Sequence, residues 1–291
     1  LGTVGILPPT AFASALREAQ RQAGDARPVA ANLLLPFTRS AHVRACIEAR
    51  ADVVVLHGGR APKVVKRLRA AGIEVLHTVG TVPEARQALD DGVSGLVVQG
   101  TEAGGHTVAV HPTARALELV LEAVGAVPTW AAGGVAHADD VRKLLEIGAE
   151  AVVAGSRFVL TEECGAHPAY KQALVTGTET VETQLFGFGW PMRHRVLVNA
   201  AVRRWGEGPQ LMRAINARSG WVGGLLPLQL METYPLAQTL RVPLLTAGPA
   251  LVGMPDRTVA VTPLYAGRGV SRMHDILSAA DAVRALAPGL G

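Results

Sequence analysis

From Leu1 to about Lys171 short apolar runs alternate with amphipathic stretches at intervals of roughly 20–30 residues. The runs are Val4-Gly5-Ile6, Pro28–Leu35, Asp52–His57, Ile73–Val79, Gly95–Gln99, Val127–Ala132 and Ala151–Ala154. They are nearly continuous in Val, Ile, Leu and Ala, the composition of parallel strands covered on both faces. Between them the spacing predicts helices over Thr10–Ala23, Ser40–Ala49, Ala61–Ala71, Val82–Asp90, Pro112–Ala123 and Ala138–Leu145. Such alternation implies right-handed crossovers and one parallel sheet. The expectation is an α/β fold of the (β/α)8 barrel type, although only seven strands can be counted where a barrel needs eight. After Lys171 the rhythm stops. Residues 176–257 hold Trp190, Trp205 and Trp221 and read as a mostly helical lid. A loop over Pro263–Val270 and a closing helix over Ser271–Leu286 complete the chain, giving expected units of 1–175, 176–257 and 258–291.

Three successive strand ends carry glycines: Gln99-Gly100-Thr101-Glu102-Ala103-Gly104-Gly105-His106, Ala131-Ala132-Gly133-Gly134 and Gly155-Ser156. Strand C-termini build the active site of such barrels, and the last two loops often bind phosphate. Glycine lets backbone N–H groups approach phosphate oxygens closely. His106 has the chemistry of a general base near neutral pH. Gln99 and Asn32 end strands with both donor and acceptor capacity, and either serves equally as a buried amide satisfied by neighbouring backbone. Glu102 has the chemistry of a base, but a carboxylate in a solvated loop or one bonded to local N–H groups is the more usual reading. His57 and His77 also end strands and are candidates to line the site.

Composition narrows the classes further. Hydrophobic residues make up 49% and charged residues 18%, which suits an ordered globular chain. A net charge of +4, with arginines spread along the chain, argues against nucleic acid as a partner. No apolar run spans a bilayer. Cys46 and Cys164 lack disulfide or metal spacing and read as reduced thiols of a cytoplasmic protein. No metal site is expected. Neither a dinucleotide fingerprint nor a P-loop signature occurs.

Taken together, the blocks at 99–106, 131–135 and 154–163, with Ala166–Lys171 and more weakly Arg195–Leu197 and Tyr265–Val270, resemble the nitronate monooxygenase family. They also resemble its relative, the flavin-dependent enoyl-acyl-carrier-protein reductase. The resemblance implies a barrel holding FMN without a covalent link. Carried onto this sequence, it puts Asn32 and Gln99 at the isoalloxazine. It puts Gly104, Gly134 and Val153-Ala154-Gly155-Ser156 at the ribityl phosphate, and His106 as the base. Ser156 stands where the family usually has threonine, and Thr107-Val108 follow His106 where a glycine is common. The family's first strand, which would precede Leu1, is not in this sequence. An open edge between the strands at Val4–Ile6 and Ala151–Ala154 is therefore expected unless another segment, such as Thr258–Pro263, fills it.

The implied reaction is FMN-dependent oxidation of small alkyl nitronates or nitroalkanes by dioxygen, giving a carbonyl compound and nitrite. The alternatives are an NAD(P)H-dependent flavin reductase of enoyl-thioester or quinone type, and a non-catalytic FMN-binding fragment or paralogue. Gln99-Gly100 fits the nitronate branch better than the Glu-Gly of the reductases. A monomer or homodimer is expected.

Overall fold

The computed structural model describes residues 2–5, 7–24, 27–220, 233–243 and 245–288. Ile6 and Trp221 lie outside them. Seven parallel strands form one curled sheet in the order β1 (Gly2–Val4), β2 (Val29–Leu34), β3 (Val53–His57), β4 (Glu74–Val79), β5 (Gly95–Gln99), β7 (Thr129–Ala132) and β8 (Ala151–Val153). Helices α1 (Pro9–Ala23), α2 (Ser40–Glu48), α3 (Pro62–Ala70), α4 (Val82–Asp90), α5 (Thr113–Val124) and α6 (Ala138–Ile147) return the chain between them. The barrel-type α/β fold read from the sequence is therefore present as a half-barrel. Among the described residues, β1 and β8 each pair on one side only. Thr258–Pro263 does not fill that edge, since Asp256–Ala260 coils into a 3₁₀ turn.

Register decides which side chains face the helices and which face the concave side. Val54, Val75, Leu96, Val98, Ala131 and Val152 pack with Phe12, Leu16, Leu68 and Leu117 in the main apolar cluster, between sheet and helices. Partners in a parallel ladder share a face, so the pairs Asn32↔Val55 and Leu34↔His57 put Asn32 and His57 on the concave side. The rung Gln99↔Ala132↔Val153 lies on that side too. His77 pairs with Leu56 and Leu96 and so faces the helices. It does not line the concave side.

The segment 176–257 contains the helices α7 (Ala200–Trp205) and α8 (Gln210–Arg218) and a short one over Tyr234–Ala237. It also contains two strands the sequence reading did not anticipate, β9 (Thr180–Thr183) and β10 (His194–Leu197). They join β6 (Gly105–His106) in an antiparallel sheet of order β6-β10-β9. The closing helix begins only at Ala279, not at Ser271. Arg268–Arg272 form a 3₁₀ turn, Leu277 bridges Thr161, and the Ser278 hydroxyl caps the helix by accepting from Asp281 N–H.

Candidate active site

β5 ends at Gln99, and the chain then leaves the main sheet to pair as β6 with β10. That exit places His106 directly opposite His194. Gln99 fixes it from below: its Nε2 donates to His106 O at 3.2 Å, and its Oε1 accepts from Val108 N–H at 2.9 Å. Thr107 N–H donates to Arg193 O at 2.9 Å. Gln99 is thus a buried amide that holds the His106 loop, with one N–H and one lone pair of its amide still uncommitted among the described residues.

The imidazole of His106 is buried and stacks on Trp190, ring centroids 3.6 Å apart and planes 15° from parallel. His194 and Tyr265 lie at 5.0 and 5.6 Å. His106 Nε2, Trp190 Nε1 and His194 Nε2 are all buried without a hydrogen-bond partner among the described residues. Buried polar atoms are normally paired, so three orphans in one aromatic cluster mark it as built for something else. His194 Nδ1 lies 3.0 Å from Met192 O, which fixes the proton on Nδ1 and leaves Nε2 as an acceptor. Burial pushes the His106 imidazole well below its ordinary pKa, and the neighbouring His194 and His57 add to the effect. His57 and His194 are each pushed down to about 4, again chiefly by burial. All three rings are neutral at pH 7.

The other strand ends meet the turn at Gly267–Arg272. Gly267 N–H donates to Ser156 Oγ (2.9 Å), Arg268 N–H to Glu102 O (2.9 Å) and Arg272 Nη2 to Gly134 O (2.9 Å). Glu102 Oε2 accepts from Thr113 N–H and Oγ1 at 2.8 and 2.9 Å, the structural role expected of it. Gly104 is required by close packing: a Cβ there would stand 2.4 Å from Gly267 N and 2.5 Å from Ala266 C. Gly155 is the reverse. It is exposed, its φ of −108° suits any residue, and a Cβ would meet nothing within 4 Å. Val153 is also exposed, and Ala154 and Ser156 are half-buried. Asn32 is half-buried and lines a small cleft with Gly5, Leu7 and Phe37.

These residues suit a planar, polar-edged cofactor with a phosphate tail. The orphaned ring nitrogens and the free capacity of Gln99 suit the polar edge, and the open space beside Gly155 suits the tail. Trp190, His194 and Tyr265 went unselected as site residues. Their segments join the site through the antiparallel sheet, the bridge Val196↔Tyr265 and ring contacts from Phe37 and His57. Among the described residues there is no cluster of three potential metal ligands, and no helix long and apolar enough to cross a membrane.

A family profile described as nitronate monooxygenase matches residues 10–289. The nitronate monooxygenase of Pseudomonas aeruginosa is 39% identical over 136 residues, which cover 44% of this chain and 39% of that protein. The chain aligns with well under half the length of the curated relatives it matches first. Nitroalkane oxidase from Streptomyces ansochromogenes superposes with a TM-score of 0.74 at 23% identity, covering 99% of this chain and 87% of that one. FabK from Thermotoga maritima gives 0.72 at 24%, covering 96% and 80%. Both likenesses show a shared fold.

Proposed function

The chain belongs to the nitronate monooxygenase family, a family of oxidoreductases, and from that premise we propose that it oxidises small alkyl nitronates or nitroalkanes with bound FMN and dioxygen, yielding a carbonyl compound and nitrite. The observation that carries this reading is His106: a neutral imidazole, buried, with an unpartnered Nε2, at the C-terminal end of the sheet. FMN, when bound, supplies the redox chemistry. Asn32 and Gln99 would meet its ring. Gly104, Gly134, Val153, Ala154, Gly155 and Ser156 would surround its phosphate.

The protein's own part is binding and proton handling. Phe37, Trp190 and Tyr265 give the site apolar walls that suit a short alkyl chain. The Trp190 Nε1–H, a donor without a partner, suits a nitro oxygen. His106, neutral at working pH, takes the α-proton of a neutral nitroalkane and orients a nitronate that arrives already deprotonated. The low polarity around the ring strengthens the attraction between the imidazolium and the nitronate formed beside it.

Visible absorbance of the purified chain, followed by nitrite release set against NAD(P)H oxidation, tests the proposal. A flavin spectrum with nitrite formed from nitronate supports it. NAD(P)H oxidation without nitrite makes the protein a flavin reductase, and bound flavin with neither activity makes it a non-catalytic binder.

A further inference from the structure

A base that is buried among apolar groups works against itself, because the imidazolium it forms has lost its hydration. The titratable groups facing His106 do not offset this loss. His57 on β3 and His194 on β10 are neutral at working pH and bring no negative charge to offset it, and the Tyr265 hydroxyl already donates to Ala247 O at 2.8 Å. The indole of Trp190 is different. It covers the imidazole face to face at 3.6 Å, and its plane is set by edge contacts from Phe37 (5.2 Å, 84°) and His57 (6.4 Å, 84°). The backbone beneath it is tied down as well: Trp190 N–H donates to Gly187 O and Gly189 N–H to Ser219 Oγ. Tryptophan presents the most electron-rich face of any side chain to a cation. Its attraction for the imidazole grows when the ring becomes charged, and it lies nearer and flatter against His106 than the Tyr265 ring at 5.6 Å.

We propose that Trp190 is a positioning residue for His106, its indole face raising the proton affinity of the imidazole so that the buried ring can hold the proton it removes. The inference rests on His106 being the base of the proposed reaction. In that step the proton passes from the α-carbon of the nitroalkane to a ring nitrogen of His106. The C–H electron pair delocalises onto the nitro oxygens, leaving nitronate and imidazolium. No oxidant is consumed in it.

The test is an NMR titration of the nine histidines in the full chain, with His106→Gln identifying the resonance. Trp190→Leu keeps apolar bulk without a π face and should lower the His106 midpoint by about 0.5 to 1.5 pH units, while Trp190→Phe loses less. A midpoint that stays put or rises in the leucine variant overturns the proposal, as does a wild-type ring that stays neutral down to pH 4. A fluorinated tryptophan introduced at position 190 keeps the shape and weakens the ring face. It must lower the midpoint too, which keeps the test decisive if the leucine variant fails to fold. Nitrite release from a neutral nitroalkane should slow about 3- to 30-fold in Trp190→Leu, the midpoint shift expressed as a rate factor, with nitronate turnover slowed less. A lowered midpoint beside full nitroalkane activity in His106→Ala overturns the base reading and leaves the coupling between the two rings standing.

Discussion

His106 and Gly155 carry opposite kinds of argument, one chemical and one steric. Replacing His106 by alanine removes the base, so turnover of neutral nitroalkanes should fall by about 10²- to 10⁴-fold. Nitronates bring no α-proton to remove and should lose much less. A nitrite assay run on both substrate forms reads the difference, and equal small losses would reduce His106 to a structural residue. Gly155→Leu asks about cofactor and not about folding. The position is exposed, its backbone is unstrained and a Cβ there meets no atom within 4 Å, so stability should stay within about 0.5 kcal/mol. If the ribityl phosphate lies against this turn, the variant purifies colourless while the parent is yellow. A yellow Gly155→Leu protein moves the phosphate elsewhere.

Gly104 shows how an element can depend on one missing methyl group. The turn from β5 to β6 passes so close to Ala266 and Gly267 that a Cβ would overlap main-chain atoms on that side. Gly104→Ala should cost roughly 1–3 kcal/mol or more by overpacking against backbone that cannot yield, seen as a lower urea midpoint than in a Gly155→Ala control. The strands and helices of the half-barrel were legible because each is a long repeat of one period, apolar runs for buried strands and a 3.6-residue stripe for helices. The second sheet was not. β6 is two residues long and has no period to detect. β10, His-Arg-Val-Leu, is buried throughout, and tolerates its arginine because Arg195 Nε donates to Thr101 O and the guanidinium pairs with Glu182. A polar residue satisfied across 94 positions of sequence looks, in the sequence alone, like a loop. His106 and Gln99 stood out by the glycines around them. His194 and Trp190 carried no such mark, and it is the pairing of β6 with β10 and the ring contacts around Trp190 that bring them to His106.

At the scale of the whole molecule, the cluster of neutral histidines couples folding to pH. His57 and His194 titrate near 4 in the folded chain and near 6.5 when exposed by unfolding. Between those values the unfolded state binds protons that the folded state refuses, so stability rises with pH across this window and is lost as pH falls through it. Each group removes up to about 3 kcal/mol by pH 4, at about 1.4 kcal/mol per pH unit. His106, shifted the same way, adds to the slope. Carboxylates with lowered pKa values, such as Asp140 beside Arg272, act below this range and leave the window to the histidines. The protein should therefore lose thermal stability between pH 6.5 and 4.5, and not merely below 4. His57→Phe fills a similar apolar volume beside Trp190 and removes one titrating group, so its melting temperature should fall less steeply over the same range. Equal slopes for parent and variant, measured by thermal unfolding at half-unit pH steps, would mean that His57 is reached by water and protonates in the native state.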